Sequence, residues 1–281
     1  MLDELSTGSR ATVPDAATTI VGDVPDGGAL ERAMADVDVV FHQAAVVDVG
    51  RTVEHPRETN ATNLDGTLAV LDRAREEDAR VVLASSAAVY GSADELPIAE
   101  TAPFEPRSPY AVQKSAADEY ARRYADLYEL PTVALRYFNV FGPDRRGPYS
   151  GVISTFLSQA RAGDPITVNG DGEQTRDFVH VDDVVRANLL AATTDDVGAA
   201  YNVGSGTRTS IRELAETVRD ATGADVPIVH EDPRPGDVRH SVADLSRASR
   251  RLGYEPTVEL EDGLRSLSAR RTRTATSDRT A

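Results

Sequence analysis

Tyr110 and Lys114 stand four residues apart in Tyr110-Ala-Val-Gln-Lys114, and inside a helix that spacing puts a phenol and an ammonium on one face, one turn apart. A phenol near its ordinary pKa of about 10 is a poor base at neutral pH, whereas a fixed ammonium beside it favours the phenolate. The pair predicts an acid–base tyrosine tuned by a lysine. Many solvated helix faces carry the same spacing, so composition matters: Lys114 is the single lysine against 29 arginines. GC-rich codon usage explains arginine elsewhere. Arginine has a bulky fork and does not readily lose its proton, and at this one position a compact ammonium has been kept.

Two further segments can share the same pocket. Ser85-Ser-Ala-Ala-Val-Tyr-Gly91 follows directly on the apolar run Arg80–Ala84, so its hydroxyls project from the C-terminal end of a strand. Arg136-Tyr-Phe-Asn-Val-Phe-Gly-Pro143 ends the next apolar run with aromatics and an amide suited to a planar or sugar ligand. Core packing accounts for the aromatics but not for Asn139.

These segments need a frame to position them. Short apolar runs at Thr18–Val21, Val37–Phe41, Arg80–Ala84 and Thr132–Arg136 alternate with helical patterns at Gly28–Met34, about 60–77 and Pro109–Tyr128. That order predicts an α/β fold with a doubly wound parallel sheet, whose ligands gather at strand C-terminal ends. After Pro143 the pattern loosens. A helix is expected near Gly151–Ala162, a strand at Ile166–Val168, a strand–helix pair over Asp177–Ala192 and a strand at Val226–His230. Ser210-Ile-Arg-Glu213 is a capping box opening a helix that Gly223 closes. The expected organisation is a first domain over residues 1–143 to which 177–203 returns, and a smaller α/β lobe built from 144–176 and 204–265. A disordered tail is expected over 266–281, where aromatics and periodicity stop.

Composition narrows the function. At about 150 residues per domain, 281 residues make about two units, and 40% hydrophobic content supplies a core. The absence of cysteine removes disulfides, thiolate metal sites and a cysteine nucleophile, and fits a reducing cytoplasm. Thirty basic against 46 acidic residues leave a net charge of −16, which repels phosphate backbones and anionic lipid. Nucleic-acid and membrane-surface partners are therefore not expected, and the acidic surface has the character of a high-salt protein. Any anionic ligand must meet locally placed cations. Met1–Leu5 has no basic leader character, and no apolar run approaches the roughly 18 residues of a membrane span, so a cytoplasmic location is expected.

Taken together, the chain resembles the extended short-chain dehydrogenase/reductases, specifically the NAD-dependent sugar-nucleotide epimerases and dehydratases, from about Leu2 to Leu267. The pieces stand in family order: Phe41-His-Gln-Ala-Ala45, Asn63-Leu-Asp-Gly-Thr67, Ser85–Gly91, Ser108-Pro-Tyr110 with Lys114, Arg136–Pro143, Gly170–Phe178 and Arg234-Pro-Gly-Asp237. The resemblance implies a Rossmann-type sheet, bound NAD and a nucleotide-diphosphate sugar, a UDP-hexose. It implies Tyr110 as catalytic base and acid, Lys114 as its partner that also holds the nicotinamide ribose, and Ser86 as the hydroxyl on the reacting oxygen. On the cofactor side it implies Ala44 and Ala45 at pyrophosphate and ribose, Asn63 at the pocket wall, Tyr137 and Phe138 flanking the nicotinamide, and Asp23 with Val24 at adenine. On the substrate side Asn139, Arg176 and Arg234 match residues that grip the diphosphate. No metal is implied. The helices around 60–77 and 109–128 form a dimer contact in similar proteins, so a homodimer is expected.

The departure is at the front. The family opens with a strand, a Gly-x-x-Gly-x-x-Gly turn and a helix, and none of the 20 glycines here has that spacing. Leu2-Asp-Glu-Leu-Ser-Thr-Gly8 resembles the end of the family's second strand, which makes Asp3 the acid for the adenine ribose and Ser6 its neighbour. The expectation is that a misplaced start or fragmentary gene model removed the glycine turn, the main phosphate-binding element. Residues 1–281 alone are then expected to fold poorly or bind NAD weakly, and an N-terminal extension to restore both. Ala87 and Ala88 stand where a 4,6-dehydratase of the family carries its elimination carboxylate, so 4-epimerisation of UDP-glucose and UDP-galactose leads. Ser241, where some epimerases place a bulky tyrosine, would admit N-acetylhexosamines. The alternatives are a dehydratase or reductase of the same family, or a non-catalytic nucleotide-sugar-binding protein.

Overall fold

Runs such as Val81-Val-Leu83 and Val133-Ala-Leu135, buried throughout, are stable only in a sheet covered on both faces. The computed structural model, which describes residues 1–8, 10–143, 151–234 and 236–277 and side chains through 269, contains that sheet. Strands β1 (Leu2–Asp3) and β2 (Ile20–Val21) lead through helix α1 (Gly27–Met34) to β3 (Val39–His42). Helices α2 (Val49–Glu54), α3 (Pro56–Asn60) and α4 (Gly66–Glu76) follow, then β4 (Arg80–Ser86), α5 (Pro109–Tyr128), β5 (Thr132–Tyr137) and β6 (Asn139–Phe141). Next come α6 (Gly151–Ala162), β7 (Ile166–Asn169), β8 (Thr175–Arg176), β9 (Phe178–His180), α7 (Val181–Thr193) and β10 (Ala199–Val203). The last elements are β11 (Thr209–Ser210), α8 (Ile211–Thr222), β12 (Ile228–Glu231), α9 (Ser246–Leu252) and α10 (Leu260–Ser277).

The central sheet is parallel, in the order β10-β5-β4-β3. Alternation along β4 divides its side chains between two cores. Val81 and Leu83 pack with Leu71, Ala117 and Ala121 beneath α4 and α5, whereas Val82 joins Leu135, Val184 and Tyr201 beneath α7 and α9. β1 and β2 form a separate parallel pair, with Leu2 packed on the α4–α5 side. Among the described residues β3 pairs only with β4, and Phe41 on this edge is 44% exposed.

The smaller lobe packs α6, α8 and α10 around Phe156, Leu157, Ile166, Leu214 and Leu264, with β12 parallel to β7 and β11 antiparallel to β8. α8 opens on the expected capping box, Ser210 Oγ accepting from the Glu213 amide at 3.1 Å and Glu213 Oε2 from the Ser210 amide at 2.8 Å. It closes at Gly223 in the left-handed conformation. The expected start of this lobe after Pro143 lies at 144–150, outside the described residues, as do 278–281.

The expected tail over 266–281 begins inside α10, which runs from Leu260 to Ser277, and Leu267 packs on the lobe core. Leu260, Leu264 and Leu267 recur at helical spacing and form an apolar stripe that composition alone conceals. The helix expected around 60–77 is also interrupted, by a π turn at Ala61–Asp65.

Candidate active site

The predicted reacting residues, Ser86, Tyr110 and Lys114, converge on the C-terminal end of β4. Ser86 closes that strand, and its Oγ accepts from the Ala88 amide at 3.2 Å, capping the 3-10 turn Ala87–Tyr90. Across from it α5 starts at Ser108, whose Oγ accepts from the Ala111 amide at 3.1 Å, with Pro109 in the first turn. That start turns the Tyr110 phenol toward Ser86, whose hydroxyl favours the phenolate. One turn further, the buried Lys114 donates from Nζ to the Ala84 carbonyl at 2.8 Å. Ser86, Tyr110 and Lys114 thus meet over one strand tip.

Burial pulls the Lys114 ammonium down to about 8. The expected lowering of Tyr110 is corrected by the structure: burial pushes the phenol up, and the Ser86 hydrogen bond opposes it only in part. Desolvation of the phenolate prevails, and the Lys114 Nζ is engaged by the Ala84 carbonyl. His42, at the tip of β3, lies 2.9 Å from Thr67 Oγ1, and burial together with the Lys114 charge lowers it to about 3, so it is neutral.

On the expected cofactor side, Ala44 is exposed and Ala45 half-buried in the loop after β3. Asn63 holds this loop by both ends of its amide, with Oδ1 accepting from the Val46 amide at 2.7 Å and Nδ2 donating to the Val46 carbonyl at 3.0 Å. Its Nδ2 also donates to Gln113 Oε1 at 2.7 Å, which joins the loop to α5 one residue before Lys114. Asn63 lies in the π turn, a local widening that changes the direction in which its side chain projects. The Tyr137 hydroxyl donates to Gln43 Oε1 at 3.2 Å and accepts from Asn188 Nδ2 at 2.8 Å.

Phe138 is buried with Val89, Tyr90 and Ile98 and faces the opposite way from Tyr137, as successive extended residues do. Val24 is likewise a core residue, and a methyl group added at Gly66 would lie 3.1 Å from it. Asp23 accepts from the Val24 amide at 2.7 Å. Asp3 accepts from the Leu5 amide at 2.7 Å, and Ser6 donates to the Glu4 carboxylate. Asp3, Ser6 and Asp23 lie in or just after β1 and β2, apart from the four-stranded sheet that carries Ser86.

Toward the smaller lobe, Asn139 donates to the Asp177 carbonyl at 3.1 Å. Arg176 is ion-paired with Asp237, and Asp237 together with the exposed Arg234 lines an open cleft of about 450 Å³ that also takes in Asn169, Glu231 and Arg239. Pro235, inside the Arg234–Asp237 motif, lies outside the described residues. Sequence reasoning missed Gln43, Gln113 and Asn188, single amides whose spacing carries no signal. It also missed Asp118, whose place one turn beyond Lys114 was available to helical spacing.

A parallel α/β sheet with a serine, a tyrosine and a lysine gathered at one strand tip is the architecture of the short-chain dehydrogenase/reductase class. Within it, the chain belongs to the NAD dependent epimerase/dehydratase family, whose sequence signature matches residues 1–204. It is 37% identical over 275 residues to a UDP-glucose 4-epimerase of Mycolicibacterium smegmatis, covering 94% of this chain and 87% of that one. The structure superposes with a TM-score of 0.92 on the UDP-glucose 4-epimerase of Thermotoga maritima solved with UDP-glucose, at 34% identity over 98% of this chain and 90% of that one. The same TM-score, 0.92, relates it to a UDP-N-acetylglucosamine 4-epimerase of Methanobrevibacter ruminantium, at 36% identity over 97% of this chain and 90% of that one.

Proposed function

We propose that this protein is a nucleotide-sugar 4-epimerase, an isomerase acting on UDP-glucose and UDP-galactose or their N-acetylated counterparts. The single observation that carries the proposal is the meeting of Ser86, Tyr110 and Lys114 at the tip of β4, with Ala87 and Ala88 directly after Ser86. The pocket wall suits NAD: a buried ammonium, an amide-clamped loop and the Tyr137 hydroxyl offer donors at a strand C-terminal end. Bound NAD supplies a hydride acceptor that later returns the hydride. Lys114, and the loop that Asn63 fixes, would hold it.

The work of this chain's own groups is proton transfer and orientation. Ser86 holds the sugar's reacting oxygen, and Tyr110 Oη takes the hydroxyl proton and gives one back. Because burial keeps Tyr110 protonated in this structure, its role as a base requires added positive charge in the pocket. Arg176 and Arg234 are the cations that support binding of a diphosphate in an otherwise anionic protein. A dehydratase would need a carboxylate beside Ser86 for elimination, and the two positions that follow Ser86 are Ala87 and Ala88. The test is Tyr110→Phe, which keeps the ring and removes the proton carrier. It is expected to lower interconversion of UDP-glucose and UDP-galactose by on the order of 10²-fold or more, with folding unchanged. Full retained turnover would refute the assignment.

A homodimer is part of the same proposal. Val112, Tyr120 and Leu127 on α5 and Val53 on α2 are 53%, 44%, 69% and 60% exposed, an apolar surface suited to a second copy. No described helix is long and apolar enough to cross a membrane.

A further inference from the structure

Behind the candidate site lies a charged pair taken almost wholly out of water. Asp118 is 0% exposed and Arg136 2%. Arg136 grips the carboxylate with two bonds, Nε to Oδ2 at 2.9 Å and Nη2 to Oδ1 at 3.0 Å. Each partner then reaches a different element. Asp118 Oδ2 accepts from Ser85 Oγ at 2.7 Å, and Ser85 adjoins Ser86. Arg136 Nη1 donates to Tyr90 Oη at 2.8 Å, at the end of the turn that Ser86 caps, and to the Glu100 carbonyl at 2.9 Å. Asp118 stands on the face of α5 that carries Tyr110 and Lys114, one turn beyond Lys114. Arg136 directly precedes Tyr137 on β5.

The elements that carry Ser86, Tyr110, Lys114 and Tyr137 therefore each have a residue in this network, and none of the network's groups is itself among the predicted reacting groups. A buried ion pair is a weak source of stability, because an apolar pair of similar volume commonly does as well. What an apolar pair cannot reproduce is the fixed angle of a two-bond guanidinium–carboxylate contact. We infer that Asp118 and Arg136 are positioning residues, which hold the tip of β4, the start of α5 and the end of β5 in the one register that aligns Ser86, Tyr110 and Lys114. The inference rests on the enzymatic reading proposed above.

The experiment compares Ser85→Ala, the double variant Asp118→Leu/Arg136→Met and a Tyr110→Phe control for thermal midpoint, kcat and KM with UDP-galactose. The double variant removes both buried charges together, and Arg122, which also donates to Asp118 Oδ1 at 3.0 Å, keeps its ion pair with Glu119. It is expected to keep or exceed the parent midpoint, with kcat lower by on the order of 10²-fold and KM within about threefold. Ser85→Ala, which deletes one hydrogen bond, is expected to lower kcat about tenfold at unchanged midpoint and KM. A double variant with parent kcat overturns the inference, since the network is then structural only. If the double variant does not fold, Ser85→Ala decides, and parent kcat in it overturns the inference equally. Full turnover by Tyr110→Phe overturns the enzymatic reading itself and the inference with it.

Discussion

Lys114 keeps its charge where the surroundings disfavour it, and that has a measurable consequence. Its ammonium titrates at about 8 in the folded protein against an ordinary value of 10.5. Between those values the unfolded chain binds more protons than the folded one, so stability rises with pH across that window. Lys114→Met is expected to abolish that rise and to raise stability at pH 7 by up to about 3 kcal/mol, lessened by loss of the bond to the Ala84 carbonyl, while turnover collapses. Urea unfolding from pH 7 to 10.5 measures the first effect and a coupled UDP-galactose assay the second. A protein that destabilises itself at one residue places that residue for chemistry rather than for folding.

The elements that matter most for the site are irregular. The π turn at Ala61–Asp65 interrupts what periodicity presents as one helix, and it aims Asn63 at the Val46 backbone and Gln113. Replacing this buried amide by Ala leaves those partners unmet. Asn63→Ala is expected to cost about 2 kcal/mol in thermal or urea unfolding and to weaken NAD binding about tenfold by calorimetry, through release of the loop that carries Ala44 and Ala45. The same scale sets the packing of Phe138 and Val24, whose side chains strand alternation and helix packing turn into the cores.

For the whole molecule, the exposed apolar face of α5 and α2 makes association the expected state. Leu127→Glu together with Tyr120→Glu is expected to convert a dimer to monomer in light scattering after size exclusion, with turnover per subunit changed less than about threefold, since neither side chain enters the site. The sequence by itself determined the alternation of strands and helices, the capping of α8 at Ser210 and the identity of Ser86, Tyr110 and Lys114, because hydropathy period, cap chemistry and residue type are local properties. Only the tertiary structure decided the neutral state of His42, the upward shift of Tyr110, the burial of Asp118 against Arg136 and the packing of Leu267 on the lobe core. Each of these depends on desolvation or on contacts between residues distant in the chain, and neither is written in spacing.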